Sequence, residues 1–362
     1  MVEVTQIKGD GETHPLVSPN DEFADYETFK WLVAQSQPAL GLQKQSKGST
    51  DTKRQTDDVA GTKMQTKDSE GAQKNLADLT AQSYARSALK LGLGQQAALG
   101  VNPFKFGMIG STDSHTALAT ADEDNFWGKF SSNEPSRYRL TTGWTFSAAG
   151  YAAVWAQENT REALFAAMRR KEVYASTGPR MIVRFFGGWE YAAGDAAQPD
   201  LARVGYAKGV PMGGDLTAAP NGKAPSFLIR AVKDPDGANL DRVQVIKGWR
   251  DRNGELHERI HNVALSDGRT ENRQGKVEPI ESTVDVKEAS YTNSIGDVVL
   301  AVVWTDPDFD RDELAFYYVR VLEIPTPRWT TYDAKFYGLK LPEEIPLITQ
   351  ERAYTSPIWY TP

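Results

Sequence analysis

There is no cysteine anywhere in the 362 residues. That excludes a disulfide scaffold and a thiolate-held zinc site, and leaves His, Asp, Glu and water as donors for any metal. Histidine is scarce too, with His14, His115, His257 and His261 the four present. No apolar run reaches the roughly 18 residues of a membrane-spanning helix, and the opening MVEVTQIKGDGETH lacks the basic start and apolar stretch of a secretory leader. Positive charge is in deficit. A formal net charge of −7 and a pI near 5.3 leave no basic face on average, which argues against nucleic acid as the main partner. What is present is ordinary for a folded protein: a 40% hydrophobic share over this length is enough for two domains, each with its own core.

Along the chain, Val2, Val4 and Ile7 mark a short buried strand that breaks at Gly9-Asp10-Gly11. A domain that begins on a core strand without a lead-in looks like the remainder of a longer one. Ser18-Pro19-Asn20-Asp21-Glu22 is a helix start, and Phe23, Tyr26, Phe29, Trp31 and Leu32 supply an apolar stripe behind it. Residues 43–75 turn to Gln, Lys, Thr, Asp, Ser and Gly, a solvated insertion with little apolar surface. Helical periodicity resumes over 76–98, and an apolar run of strand length follows at 104–110. Residues 116–150 are irregular, and Thr160 then caps a helix that closes on Arg169, Arg170 and Lys171. Beyond Gly178-Pro179 short alternating runs recur, from Met181 to Phe186, Phe227 to Val232, Arg242 to Lys247, Val298 to Trp304 and Ala315 to Leu322, between turn clusters such as Asp234-Pro235-Asp236-Gly237. The expected fold class is therefore α/β plus all-β, with an α/β domain over 1–180 and a β-sandwich over 181–362.

The strongest chemical signal is Gly110-Ser111-Thr112-Asp113-Ser114-His115, directly after a buried strand. At a strand end an Asp-x-His pair offers one hard oxygen and one imidazole to a divalent ion or to proton transfer. The same string also suits a capping Asp113 beside a satisfied loop histidine. Glu12 and His14 likewise follow a strand end, with Lys8 just before them, so the two loops would share a site if their strands lie in one sheet. Otherwise they form a polar loop. His257-Glu258-Arg259-Ile260-His261 matches the zinc-protease pattern H-E-x-x-H, which works only on a helix. Asn253-Gly254 is a hairpin turn, so this stretch should be a strand, where the two imidazoles stand roughly 13 Å apart. Arg180, at the junction, either holds an anionic ester or makes an interdomain salt bridge. Ser111 or Ser114 as a nucleophile would need a base better placed than the adjacent His115.

The blocks VEVTQIKGDGETHPLVSPNDEFADYE, NPFKFGMIGSTDSH, SAAGYAAVWAQENTREALFAAMRRKEVYASTGPR and AYTSPIWY resemble the DUF3604 proteins, a group related to the PHP (polymerase and histidinol phosphatase) hydrolases. The resemblance covers most of the chain apart from about residues 40–80. It implies a partial PHP-like (β/α) barrel, with Asp113 and His115 on the last metal-ligand block and Glu12 and His14 in an E-x-H segment. A divalent ion (Zn, Mn or Fe) would activate water against a small anionic ester of the phosphate type, with Lys8 and Arg180 neutralising the anion. The family's N-terminal H-x-H block has no counterpart here, so the usual polynuclear site is not complete within this chain. A second copy completing the barrel, or a non-catalytic binding module with a residual structural metal, is the alternative. Deletion of residues 45–72 should leave the protein folded, because so few apolar groups cannot offset the entropy of ordering. Limited proteolysis and thermal melting of the deleted chain check this, and global unfolding would show that the segment is structural.

Overall fold

The computed structural model describes residues 1–28, 82–118, 120–148, 150–273 and 276–362. The expected insertion at 43–75, and Phe29, Trp31 and Leu32, lie outside them. In chain order the elements begin with β1 (Val2–Gln6), β2 (Gly9–Asp10), α1 (Ala85–Leu99), β3 (Met108–Gly110), the single turn α2 (Arg139–Thr142), β4 (Tyr151–Val154), α3 (Arg161–Arg169), β5 (Val173–Ser176) and β6 (Ile182–Gly188). They continue with α4 (Leu201–Lys208), β7 (Gly209–Pro211), β8 (Asp215–Thr217), β9 (Ser226–Val232), β10 (Leu240–Arg250), β11 (Leu256–Leu265), β12 (Val299–Thr305) and β13 (Leu314–Glu323). Last come β14 (Thr326–Pro327), α5 (Trp329–Tyr337), β15 (Ile348–Thr349), β16 (Arg352–Thr355) and β17 (Ile358–Thr361).

Period-two alternation in β10 and β13 decides the layering, since successive side chains point to opposite faces. Val243 and Val245, with Tyr317, Val319 and Val321, turn to one side and pack on Phe185, Phe227 and Ile229 of a second sheet. Ile246, Phe316 and Tyr318 turn to the other side and meet Leu89 and Leu93 of α1, Val4 of β1 and Met108 of β3. The large sheet runs β11-β10-β13-β16-β5-β4, with β17 beside β13 and β8 beside β17; the second runs β12-β9-β6-β7. A small sheet β2-β1-β3 lies on the α1 side, its β1–β3 pair parallel and its β1–β2 pair antiparallel. The protein is thus mixed α/β with mostly antiparallel sheets, and there is no closed barrel among the described residues. The large sheet also joins strands from both sides of residue 180, because β5 pairs with β16 and β4 with β5.

Local signals hold where tertiary contacts do not compete. Thr160 caps α3, its hydroxyl accepting from the Ala163 N–H at 3.3 Å. Gly254, at φ 92°, turns the β10–β11 hairpin and puts His257 opposite Trp249 and His261 opposite Val245. The helix expected from Ser18 does not form over its described part, where residues 22–27 are turns. The Phe23 ring instead lies beneath the guanidinium groups of Arg242, Arg320 and Arg352, at 4.9, 5.5 and 5.9 Å. Ion pairs made by Asp21 and Glu22 hold the backbone in that path, and these outweigh a weak helical preference.

The strongest of these contacts is a buried network. Arg86 of α1 and Arg320 of β13 share the Asp21 carboxylate at 2.8 and 2.7 Å, and Arg86 donates to Glu12 at 2.9 Å. Removing one partner from such a set leaves a buried charge uncompensated, which costs about 3–5 kcal/mol. Arg320→Met should lose that much in urea unfolding, and adding Asp21→Asn should recover part of it. A loss under about 1 kcal/mol in the single variant would mean that the network does not hold the fold.

Candidate functional site

Parallel pairing of β1 with β3 brings the loops after both strands to the same end of the small sheet. Lys8, from the first loop, ion-pairs through Nζ with Asp113 Oδ2 from the second. Lys129 reaches the same oxygen at 2.7 Å and the Asp113 carbonyl at 2.6 Å. His115 Nε2 lies 3.5 Å from Asp113 Oδ1, and its ring meets Phe130 edge-on with centroids 5.1 Å apart. Its backbone N–H donates to the Lys129 carbonyl at 3.1 Å, so one short loop contact sets both residues. Lys129 is buried, whereas Lys8 is half-exposed and His115 exposed. Asp113 sits at φ 44°, a left-handed conformation that a short polar side chain tolerates better than most. Burial pushes its carboxyl up, but hydrogen bonds and charge from Lys129 and Lys8 outweigh this and bring it down to about 2. The carboxylate is therefore ionised across the physiological range.

Lys129 escaped the sequence reading, since nothing in the irregular 116–150 stretch distinguishes it from any loop lysine. Glu12 and His14, by contrast, were expected beside Asp113 and lie elsewhere. Both strands do belong to one sheet, but the chain reverses at Lys8-Gly9, and β2 runs back along β1 as far as the Gly11 N–H, which donates to the Val4 carbonyl at 2.6 Å. Glu12 is thereby carried under the large sheet, where Arg86 and Tyr318 donate to it and Arg320 stands 3.5 Å away. His14 lies next to Tyr84, 5.4 Å between rings, and its Nδ1 accepts from the Leu16 N–H at 3.1 Å. Burial lowers its pKa. Arg180 takes the salt-bridge role: its N–H donates to Asp234 Oδ2 at 2.6 Å, and its guanidinium stands 3.5 Å from the same oxygen. Ser111 donates to Glu3, and Ser114 bonds to Thr116 at 3.0 Å, so neither hydroxyl is paired with His115.

Among the described residues the donors at Asp113 fall short of a metal centre. The Asp113–His115 pair supplies two protein donors where catalytic zinc sites use three, and two ammonium groups already compensate the carboxylate. Glu12 and His14 would have supplied further donors, but the reversal removes them. A different group, His261, Asp306 and Asp308, brings ligand atoms within 4.8 Å of one another. There Lys247 sits 2.7 Å from Asp306 and Arg259 2.6 Å from Asp308, so both carboxylates are already paired with side-chain cations. His257 and His261 lie on β11, as the hairpin turn requires, and not on a helix.

Fold and site together define a layered α/β protein with a lysine-clamped Asp–His pair at the ends of two parallel strands. The chain belongs to the DUF3604 family, described as "Protein of unknown function", whose model matches residues 1–43 and 42–362. Neither the curated proteins nor the solved structures contain a match to it.

The reversing hairpin has its own titration signature. Asp10 is buried, its Oδ1 accepts from the Glu12 N–H at 2.9 Å, and its Oδ2 has no partner. Burial and the neighbouring Glu12 charge raise its pKa to about 7, against the opposing pull of Arg352. A folded-state pKa above the unfolded value of about 3.9 means that the stability tied to the proton is complete at pH 4 and lost as pH rises through 7. Asp10→Asn should melt like the parent near pH 4 and several degrees higher at pH 8. An unchanged difference across that range would show that Asp10 ionises without penalty.

Proposed function

We propose that this protein hydrolyses small anionic esters of the phosphate type at the Lys8–Asp113–His115–Lys129 cluster. The observation that carries the reading is an ionised Asp113 held between two ammonium groups with an exposed imidazole 3.5 Å away. Lys8, half-exposed and on a flexible stem, turns from Asp113 to the ester oxygens. His115 takes the proton from an attacking water through its other ring nitrogen, and Asp113 orients the ring. Lys8 stabilises the negative charge that grows on the ester oxygens, while Lys129 holds Asp113 in place. Every proton in this scheme moves between water, His115 and the leaving group.

The finer reading, a PHP-like partial barrel, is supported by the parallel β1–β3 pair and by the Asp-x-His string that follows β3. A zinc, manganese or iron ion forms no part of the proposal, because the described donors do not fit one. A second copy of the chain would have to add donors before a metal step could be written. The rival reading is an anion-binding module without turnover. Its support is Lys129, which is buried and bonded twice to Asp113 in the manner of a structural ion pair. No helix among the described residues is long and apolar enough to cross a membrane.

Turnover of 4-nitrophenyl phosphomono-, di- and triesters, with and without EDTA, separates these readings. His115→Ala should lower kcat by about 100-fold to 10,000-fold while leaving the melting temperature unchanged. Lys8→Ala should mainly raise KM. Activity that survives EDTA and is lost in His115→Ala supports the proposal, and activity abolished by EDTA returns the metal reading. Saturable phosphate binding with no hydrolysis of any ester establishes the module.

A further inference from the structure

A pocket of about 290 Å³ lies away from Asp113, and seven of its sixteen lining residues are acidic. Asp122-Glu123-Asp124 comes from the loop ahead of α2, Asp234 and Asp236 from the turn after β9, Glu323 from the end of β13 and Glu351 from just before β16. The basic side chain of the lining is Arg180, largely exposed and already paired with Asp234. Glu323 is 1% exposed, and its Oε1 has no hydrogen-bond partner. That oxygen lies 3.5 Å from where a Cβ on Gly237 would stand, and Gly237 also lines the pocket. A buried carboxylate oxygen without a donor is costly, whereas the buried carboxylates of Glu12 and Asp21 have arginine partners. Lys233, whose charge pulls against the raised pKa of Glu323, donates its ammonium to the carbonyls of Asp234, Pro235 and Gly237.

The spacing of the acids selects the kind of cation. His261, Asp306 and Asp308 form the group of described residues whose ligand atoms come within 4.8 Å of one another, so the carboxylates of this pocket are spread more widely than the shell of one small ion. Two phenol rings, Tyr291 and Tyr332, share the lining. Burial, and then the charges of Glu323, Asp124 and Asp234, push the Tyr291 hydroxyl up, which places that ring within the same field. Aromatic faces with dispersed carboxylates are the recognition set for ammonium and guanidinium groups. We propose that this pocket binds a small organic cation carrying amine or guanidine groups, with Glu323 as its buried counter-charge.

Burial, then Glu351 and Asp234, raise the pKa of Glu323 well above the usual carboxylate range, and a cation entering beside it lowers that pKa again. Binding therefore releases a proton. The test is calorimetric titration of the full chain at pH 7.5 and low salt with 1,4-diaminobutane, and separately with calcium chloride. Diamine should bind saturably, with a heat that varies with the ionisation enthalpy of the buffer. Glu323→Gln should weaken the binding at least about 10-fold, equivalent to 1.4 kcal/mol, and abolish the buffer dependence. Asp124→Asn, at an exposed position, should weaken it about 2-fold to 5-fold and covers the case in which the buried variant fails to fold. No saturable heat up to about 10 mM diamine overturns the proposal, as does unchanged affinity in both variants. Calcium binding that Glu323→Gln removes, with no diamine binding, assigns the pocket to a metal instead.

Discussion

Arg86 and Arg320 are wholly buried, and each can be so only because an acidic stretch near the start of the chain comes to meet it. Glu12 and Asp21 enter the gap between α1 and β13, and a buried guanidinium without them would cost far more than the fold can offset. The same stretch is fastened again further on. Glu22 reaches Arg242 at 2.7 Å, Glu27 takes Arg328 at 2.7 and 2.9 Å, and the Tyr26 ring lies 3.7 Å from the Arg352 guanidinium. Five arginines from the helix, the large sheet and the segments that follow it thus converge on residues 12–27.

That constraint shapes the candidate site by what it takes away. To reach Arg86, the chain must double back through β2, and Glu12 and His14 leave the end of the small sheet where Asp113 stands. Left without further acidic or imidazole donors, Asp113 is compensated by Lys8 and Lys129, a set suited to holding an anion more than to chelating a cation. The chemistry open to the site therefore follows from charge pairing some distance away.

Three acidic regions show how differently one fold settles the same electrostatic demand. Glu12 and Asp21 are neutralised by arginine, and Asp306 by Lys247 with a hydrogen bond from Tyr317 at 2.7 Å. Around Glu323 the carboxyls outnumber the cations, and burial with neighbouring negative charge raises the Glu323 pKa well above the usual carboxylate range. Burial raises both Glu351 and Glu123; the Glu351 charge raises Glu123 further, whereas the hydrogen bond from Glu123 pulls Glu351 back down. The first two arrangements hold structure; the third leaves capacity for a ligand charge.

Much of the framework was legible because its causes are local. Alternation of apolar residues set out β9, β10, β12 and β13 to within a few residues, Thr160 marked the start of α3, and Asn253-Gly254 marked the hairpin that rules out a zinc-binding helix at His257. The position of Asp113 and His115 after a strand was legible for the same reason. At Phe23 and Tyr26, the described part of the expected helix, the chain forms turns instead, since spacing alone does not distinguish a ring packed on apolar neighbours from one packed under guanidinium groups. Lys129, 16 residues from Asp113 in an irregular loop, carried no signal. Periodicity, caps and turns depend on residues within a few positions of one another, so the amino-acid sequence determines them by itself. Which charges meet depends on strand order and chain reversal: Glu12 finds Tyr318 and Arg320, about 300 residues away, only because β2 turns back and β13 lies at the centre of the large sheet.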